Sequence, residues 1–235
     1  MRLLFITHSF NGLTQRLHCE LTARGHEISI EFDIADSVTE EAVARFHPDL
    51  VLAPFLKRAI PESVWSAVPC FIVHPGIPGD RGPAALDWAI QRGETRWGVT
   101  VLQAEAEMDA GPVWASAEFP MRPASKASLY RNEVTEAAVR AVLQAVDRFA
   151  AGDFQPQRLP GAAHPAIRQA DRKIDWTTQQ TADVLARLRA ADGFPGVADE
   201  LFGQPCQLFD AWPEGRLRGA RSEERRVGKE CRSRW

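Results

Sequence analysis

The sequence predicts an α/β protein built on a Rossmann-like parallel sheet. Short apolar runs rich in β-branched residues recur along its first half, and stretches with helical periodicity separate them. Strands that alternate with helices at these lengths assemble into parallel sheets. The chain has 235 residues, 45% of them hydrophobic, enough to bury one full core and a small second one. Disorder and fibrous architectures are excluded.

The first strand is expected at residues 2–7, where MRLLFITH enters directly into a buried-type run. That run is too short for a signal peptide or a membrane span, so the protein reads as cytoplasmic. A helix near residues 13–24 ends at Gly25, a normal stop. Strands are expected at 27–32 and 50–53 with a helix near 39–46 between them. A helix near 62–67 then leads to a strand at 71–73. Residues 84–91 are helical in pattern and 99–103 strand-like, so the region 71–115 reads as one βαβ unit. Residues 113–120 form a further strand. Residues 125–151 form a long amphipathic helix, capped at Ser125 or a neighbour and ended by Gly152.

These elements make a first domain of residues 1–152. Residues 153–170 read as a surface linker, rich in Pro, Gln and Gly up to Arg168. A second unit, 171–217, opens with Arg172-Lys173-Ile174-Asp175-Trp176. It continues with a helix at 178–191, the turn Gly193-Phe194-Pro195-Gly196, and one or two strands within 199–211. The tail 218–235 has no apolar period and breaks from the preceding composition. It resembles runs at the ends of unrelated draft-genome proteins and reads as disordered or as a frameshift artefact.

The tail carries seven Lys/Arg against three Asp/Glu, leaving the body with 21 basic and 28 acidic residues and a net charge of −7. Nucleic acid is therefore not an expected partner, and neither is a membrane. Cys19, Cys70, Cys206 and Cys231 form no CxxC pair and no cluster with metal-ligand spacing, so reduced thiols are expected and no metal site. The first βα turn, THSFNGLTQR, lacks the GxGxxG spacing of dinucleotide binding, which argues against an NAD enzyme.

The functional signal lies in FIVHPGIPGDRGPAALDWAIQRGETRWGVTVLQAEAEMDAGPVWA, residues 71–115. His74 leaves one strand and Asp109 the next. On the parallel reading both emerge at strand carboxyl ends, where open α/β sheets bind ligands. By local sequence alone, Asp109-Ala110-Gly111 equally fits an Asx turn, and Gly76 and Gly79 fit either turn residues or a close approach of backbone to ligand.

His74-Pro75, Arg81-Gly82, Gly98-Val99-Thr100 and Asp109-Ala110-Gly111 follow in an order and spacing that resemble the formyltetrahydrofolate-dependent formyltransferases. The string HPGIPGDRGPAALDWAI, with THSFNGLTQRL near the start, is most similar to the first half of HypX-type nickel-iron hydrogenase maturation proteins. The resemblance implies formyl transfer from formyltetrahydrofolate to coenzyme A, with hydrogenase maturation machinery as a partner. His74 would serve as donor or acid. Asp109 would hold a water and steer the proton relay. Phe55, Leu56 and Ile60 would line the pteridine pocket, Lys57 would meet the folate glutamate, and Glu105, Ala106 and Glu107 would offer backbone contacts. A coenzyme A acceptor brings phosphates, for which Arg16, Arg81 and Arg131 are candidate partners, with Gln15, His8 and Asn11 as polar groups at the crevice. Without the resemblance, Phe55 reads as core and Lys57 as a solvated charge. The Ile-Asp-Trp and Pro-Gly signals resemble the entry to the small β-barrel of methionyl-tRNA formyltransferase.

One departure is chemical: the family's strand-end Asn falls at Ile72, which has no donor. Two alternatives stay open on the sequence, an amine formyltransferase of the same fold and a non-catalytic folate-binding module.

Overall fold

The computed structural model describes residues 1–152, 157–192 and 195–213. The tail 218–235 and the Gly193-Phe194 half of the Pro-Gly turn lie outside the described residues. Strand β1 (Arg2–Thr7), helix α1 (Gly12–Ala23), β2 (Glu27–Phe32), α2 (Asp36–Phe46), β3 (Leu50–Phe55), α3 (Glu62–Trp65) and β4 (Cys70–His74) come first. There follow β5 (Asp80–Arg81), α4 (Ala85–Gln91), β6 (Arg96–Gln103) and β7 (Val113–Pro120). Next are α5 (Lys126–Leu129), a π-helical turn at Tyr130–Val134, and α6 (Thr135–Ala151). The chain continues through β8 (Ala162–Ala163), α7 (Gln169–Arg172), α8 (Thr181–Ala190), β9 (Val197–Leu201) and β10 (Gln204–Leu208).

The main sheet has six strands in the order β2-β1-β3-β4-β6-β7. Its first four strands are parallel, as the alternation of strands and helices demands. Strand β6 corrects the wholly parallel expectation: it runs antiparallel to β4, with His74 opposite Thr100, and β7 is antiparallel to β6. The α/β class stands, with a mixed sheet. Direction was not encoded in the apolar runs, because a strand buried on both faces reads the same either way.

Both faces of the sheet are covered, and the period of two sorts the strand residues between them. Leu3, Phe5, Leu50, Leu52, Phe71 and Val101 pack with Leu17 and Leu21 of α1 and Val142 and Val146 of α6. Leu4, Ile6, Val51, Ala53 and Cys70 face the opposite way, toward Val43 and Phe46 of α2 and Val64 of α3. The Cys70 thiol is fully buried, and burial pushes its pKa up to about 12. Because the thiolate is the reactive form, a thiol reagent at pH 8 is expected to modify exposed Cys19 and leave Cys70 unlabelled until the protein unfolds. Mass mapping of the labelled peptides would check this.

The long helix expected at 125–151 is interrupted. Ser125 caps α5 through its side chain, as expected, but the Tyr130–Val134 turn is π-helical before α6 proceeds to Gly152. The segment after residue 157 runs over the surface as a linker does, yet it is tied down. Ala162 and Ala163 pair with Asp80 and Arg81, and the Trp88 indole donates to the Pro165 carbonyl.

The C-terminal unit supplies a β9–β10 hairpin and a small cluster of Ile174, Leu188, Ala191 and Val197. It docks on α4. Arg172 and Lys126 both donate to Asp87 Oδ1, at 3.2 and 2.9 Å, and Arg172 and Asp87 are each 7% exposed. Removing the shared carboxylate strands the buried Arg172 guanidinium, so Asp87→Ala is expected to cost about 3 kcal/mol. The denaturation midpoint would measure this.

Candidate active site

The order of the parallel strands reverses between β1 and β3, and the loops beyond their carboxyl ends meet there: the His8 N–H donates to the Phe55 carbonyl at 2.7 Å. Such a switch point is where open α/β sheets bind ligands. Beside it, β4 ends at His74, whose side chain is 4% exposed.

Both ring nitrogens of His74 face carboxylates. Nε2 lies 2.9 Å from Asp80 Oδ2, and Nδ1 lies 3.5 Å from Asp109 Oδ2. Because β6 is antiparallel, Asp109 leaves the strand at the far end of β4, and the loop 104–112 returns it to the histidine. Asp109 adopts a left-handed conformation (φ 54°), which Asp tolerates, and the Gly82 N–H donates to its Oδ2 at 3.0 Å. The sequence pairing of His74 with Asp109 is thus a spatial neighbourhood reached by a different route.

The turn after His74 is braced from β6. Trp97 Nε1 donates to the Pro75 carbonyl at 2.9 Å, and Thr100 Oγ1 to the Gly76 carbonyl at 2.8 Å. A Cβ on Gly76 would sit 2.3 Å from His74 Nε2 and 2.6 Å from Asp80 Oδ2, so only glycine lets the turn close over the pair. Beyond it, Asp80 Oδ1 lies 3.5 Å from His164 Nε2. His164 rides on the tied-down segment, its N–H donating to the Arg81 carbonyl at 2.8 Å, and Arg92 reaches its ring at 3.4 Å. Sequence reasoning missed Asp80 and His164. Gly-Asp-Arg-Gly reads as a turn, and His164 lies ninety residues downstream of His74 in a Pro-rich stretch.

The other candidates are distributed as follows. Phe55 ends β3 half-buried, Leu56 and Ile60 belong to the cluster on the α2–α3 face, and Lys57 is exposed. Glu105 pairs with Arg158 at 2.5 Å, Ala106 is exposed, and Glu107 pairs with Arg81 at 2.8 Å. Arg81 therefore already has a carboxylate partner. So does Arg16, held by Glu136 of α6. Exposed Gln15 donates from Nε2 to the Phe10 carbonyl, and Asn11 caps α1 through Thr14 N–H. Arg131 is exposed and lies in the π-helical turn, a feature that gathers at functional sites. Ile72 shares a strand face with His74 and packs on the Ala53 side of the sheet, offering an apolar surface where an amide would offer a donor.

Among the described residues, no three His, Cys, Asp or Glu are placed to hold a metal ion, and no helix is long and apolar enough to cross a membrane.

The model of the formyl transferase family matches residues 23–146. Over 217 residues the chain is 58% identical to hydrogenase maturation factor HoxX from Bradyrhizobium diazoefficiens, covering 90% of this chain and 38% of HoxX. It is 26% identical to the methionyl-tRNA formyltransferase of Syntrophus aciditrophicus over 76% of this chain and 59% of that protein. A crystal structure of HypX from Aquifex aeolicus in complex with tetrahydrofolic acid superposes with a TM-score of 0.89 at 50% identity, over 94% of this chain and 39% of HypX. The chain thus spans less than half the length of HoxX and of HypX.

Proposed function

Because the chain belongs to the formyl transferase family, we propose that it moves a formyl group from formyltetrahydrofolate to the thiol of coenzyme A, and that this step serves hydrogenase maturation as part of a longer protein. The observation that carries the reading is His74, buried at the end of β4 with Asp109 beside Nδ1. The likeness to HoxX and to folate-bound HypX supports the donor and the context. On this reading residues 1–152 are the catalytic domain, 157–168 brace it, and 171–217 begin the second subdomain.

The reaction needs little else. The thiol sulfur attacks the formyl carbon, the C–S bond forms, the C–N10 bond breaks, and the thiol proton finishes on N10, with no net redox change. The tetrahedral oxyanion between these events needs a donor, and the proton needs a relay. His74 takes the thiol proton on the nitrogen that faces the substrate and, carrying it, donates to the oxyanion, and Asp109 completes the relay toward N10. Phe55, Leu56 and Ile60 form the apolar side of the folate pocket, Lys57 meets the glutamate, and the 105–107 backbone meets the pteridine. Gln15, Arg16, Arg81 and Arg131 are the groups for the acceptor. Arg16 and Arg81 must exchange their carboxylates for phosphates, while Arg131, among the described residues, donates to the Ala127 carbonyl.

Ile72 fits a thiol acceptor. Losing one oxyanion donor costs on the order of 100-fold or more with a poor nucleophile, whereas a thiol with a pKa near 8.5 ionises easily and attacks without a strong push. The test is tetrahydrofolate release from formyltetrahydrofolate. Release that depends on coenzyme A supports the proposal. Release with an amine acceptor and indifference to coenzyme A would replace it with amine formylation, and folate binding without release would replace it with a binding module.

A salt series separates the acceptor cations. Arg131→Ala is expected to raise the KM for coenzyme A about tenfold at low ionic strength, and the effect should shrink as salt screens the phosphates. Initial rates at two salt concentrations would measure it.

A further inference from the structure

The Asp109 side of His74 accounts for one ring nitrogen, and the stronger contact is on the other. Asp80 Oδ2 stands 2.9 Å from Nε2, inside hydrogen-bond range, whereas the Asp109 contact at 3.5 Å is outside it for a well-formed bond. Resting on the formyl-transfer reading, we propose that Asp80 is the positioning residue of the site: it accepts the Nε2–H of His74, fixes the ring, and makes Nδ1 the nitrogen that faces the reacting formyl group.

Three observations converge on this. Asp80 is a carboxylate with a 4% exposed side chain, and burial of such a group is costly unless it is paired. Among the described residues it has two side-chain partners and almost no solvent: His74 on Oδ2, and His164 at 3.5 Å on Oδ1. Next, the backbone around it is built to hold the pair. Gly76 leaves out the Cβ that would fall between Nε2 and Oδ2, and the Asp80 N–H donates to the Ile77 carbonyl at 2.9 Å. Finally, β8 clamps β5 from outside, with Ala162 N–H on the Gly79 carbonyl and His164 N–H on the Arg81 carbonyl. The clamp fixes both ends of the turn that carries Asp80.

The consequence for chemistry follows from the tautomer. A histidine ring held by a carboxylate at one nitrogen presents the other to substrate, and the orienting carboxylate sets which is which. With Nε2–H committed to Asp80, Nδ1 is the atom that exchanges a proton, and Asp109 Oδ2 is the adjacent group that passes it on. This arrangement also supplies rigidity at the position where Ile72 gives none, since Ile72 makes no hydrogen bond to the site through its side chain.

Among the described residues, four charged or titratable groups line the pair in sequence of contact. Asp80 of β5 and Asp109 of the 104–112 loop face His74, His164 of the clamp faces Asp80, and Arg92 of α4 faces His164.

The test uses nitrogen-15 histidine NMR and steady-state kinetics on the full chain. The wild type should show His74 protonated at Nε2. In Asp80→Ala the two ring nitrogens should average between tautomers, and kcat should fall on the order of 100-fold with the KM for formyltetrahydrofolate nearly unchanged. Asp80→Asn keeps an acceptor for Nε2–H and should retain the wild-type tautomer with a smaller loss. If Asp80→Ala does not fold, Asp80→Ser, whose hydroxyl is too short to hold Nε2, carries the same comparison. A wild-type tautomer signature and kcat in Asp80→Ala, or in its Ser substitute, would overturn the assignment. The NMR comparison needs no turnover, so a wild type that transfers no formyl group would defeat the proposed function while the spectra still decide the place of Asp80.

Discussion

His74→Gln is expected to reduce formyl transfer by a factor on the order of 1000 while leaving folate binding in place. Glutamine approximates the length of the imidazole and still donates to Asp80, while Asp109 keeps the Gly82 N–H. It cannot exchange a proton at neutral pH. The loss therefore falls on kcat, because the proton is moved in the transition state and not on binding. His74→Ala goes further and leaves Asp80 and Asp109 facing each other across a gap without the group between them, so part of its effect would appear as lost stability. Comparing the two substitutions separates chemistry from packing. Asp109→Asn keeps the side-chain oxygen that accepts from the Gly82 N–H and removes the charge, and about a 100-fold loss is expected. Single-turnover release of tetrahydrofolate would measure all three, and a His74→Gln rate within tenfold of wild type would sink the role given to this histidine.

The strands of the main sheet and most helices were legible because burial writes a period into sequence. Residues 2–7, 27–32 and 113–120 coincide with β1, β2 and β7. The direction of β6 was not legible. A short helix such as α4 can return the chain to the sheet either way, and Val99-Thr100-Val101-Leu102 is equally apolar in both senses. Of the site, His74 and Asp109 were legible as a motif with fixed spacing, even though the route between them differs from the one expected. Asp80 and His164 were not, since a carboxylate inside Gly-Asp-Arg-Gly and a histidine beyond a Pro-rich stretch carry the signature of a turn and a linker. The pairing of β5 with β8 brings them together, and a two-residue strand leaves no periodic trace. The commitments of Arg16 to Glu136 and Arg81 to Glu107 were hidden for a related reason: their partners lie 120 and 26 residues away.

Gly82→Ala is expected to lower the melting temperature by about 5–10 °C and to impair transfer together with it. Two penalties coincide at this residue. Its φ is +108°, a conformation that a Cβ strains, and a Cβ there would meet the His164 carbonyl oxygen at 2.2 Å, which is backbone and cannot swing aside. Relief requires the clamp to retreat, and the clamp is what holds the Asp80 turn. The Gly82 N–H also anchors Asp109 Oδ2, so the same shift loosens both carboxylates that face His74. Gly25 provides the control. Its φ is +83°, with nothing within 4 Å of a built Cβ, so Gly25→Ala carries the conformational penalty alone, about 1 kcal/mol, and should cost only a few degrees with activity intact. Differential scanning calorimetry beside the release assay distinguishes the two effects. If both substitutions lowered the melting temperature equally and Gly82→Ala kept wild-type transfer, the contact between the glycine and the clamp would have no part in the site. If activity fell only in Gly82→Ala, the 157–168 segment would belong to the catalytic apparatus through its grip on the turn, although its sequence reads as a linker.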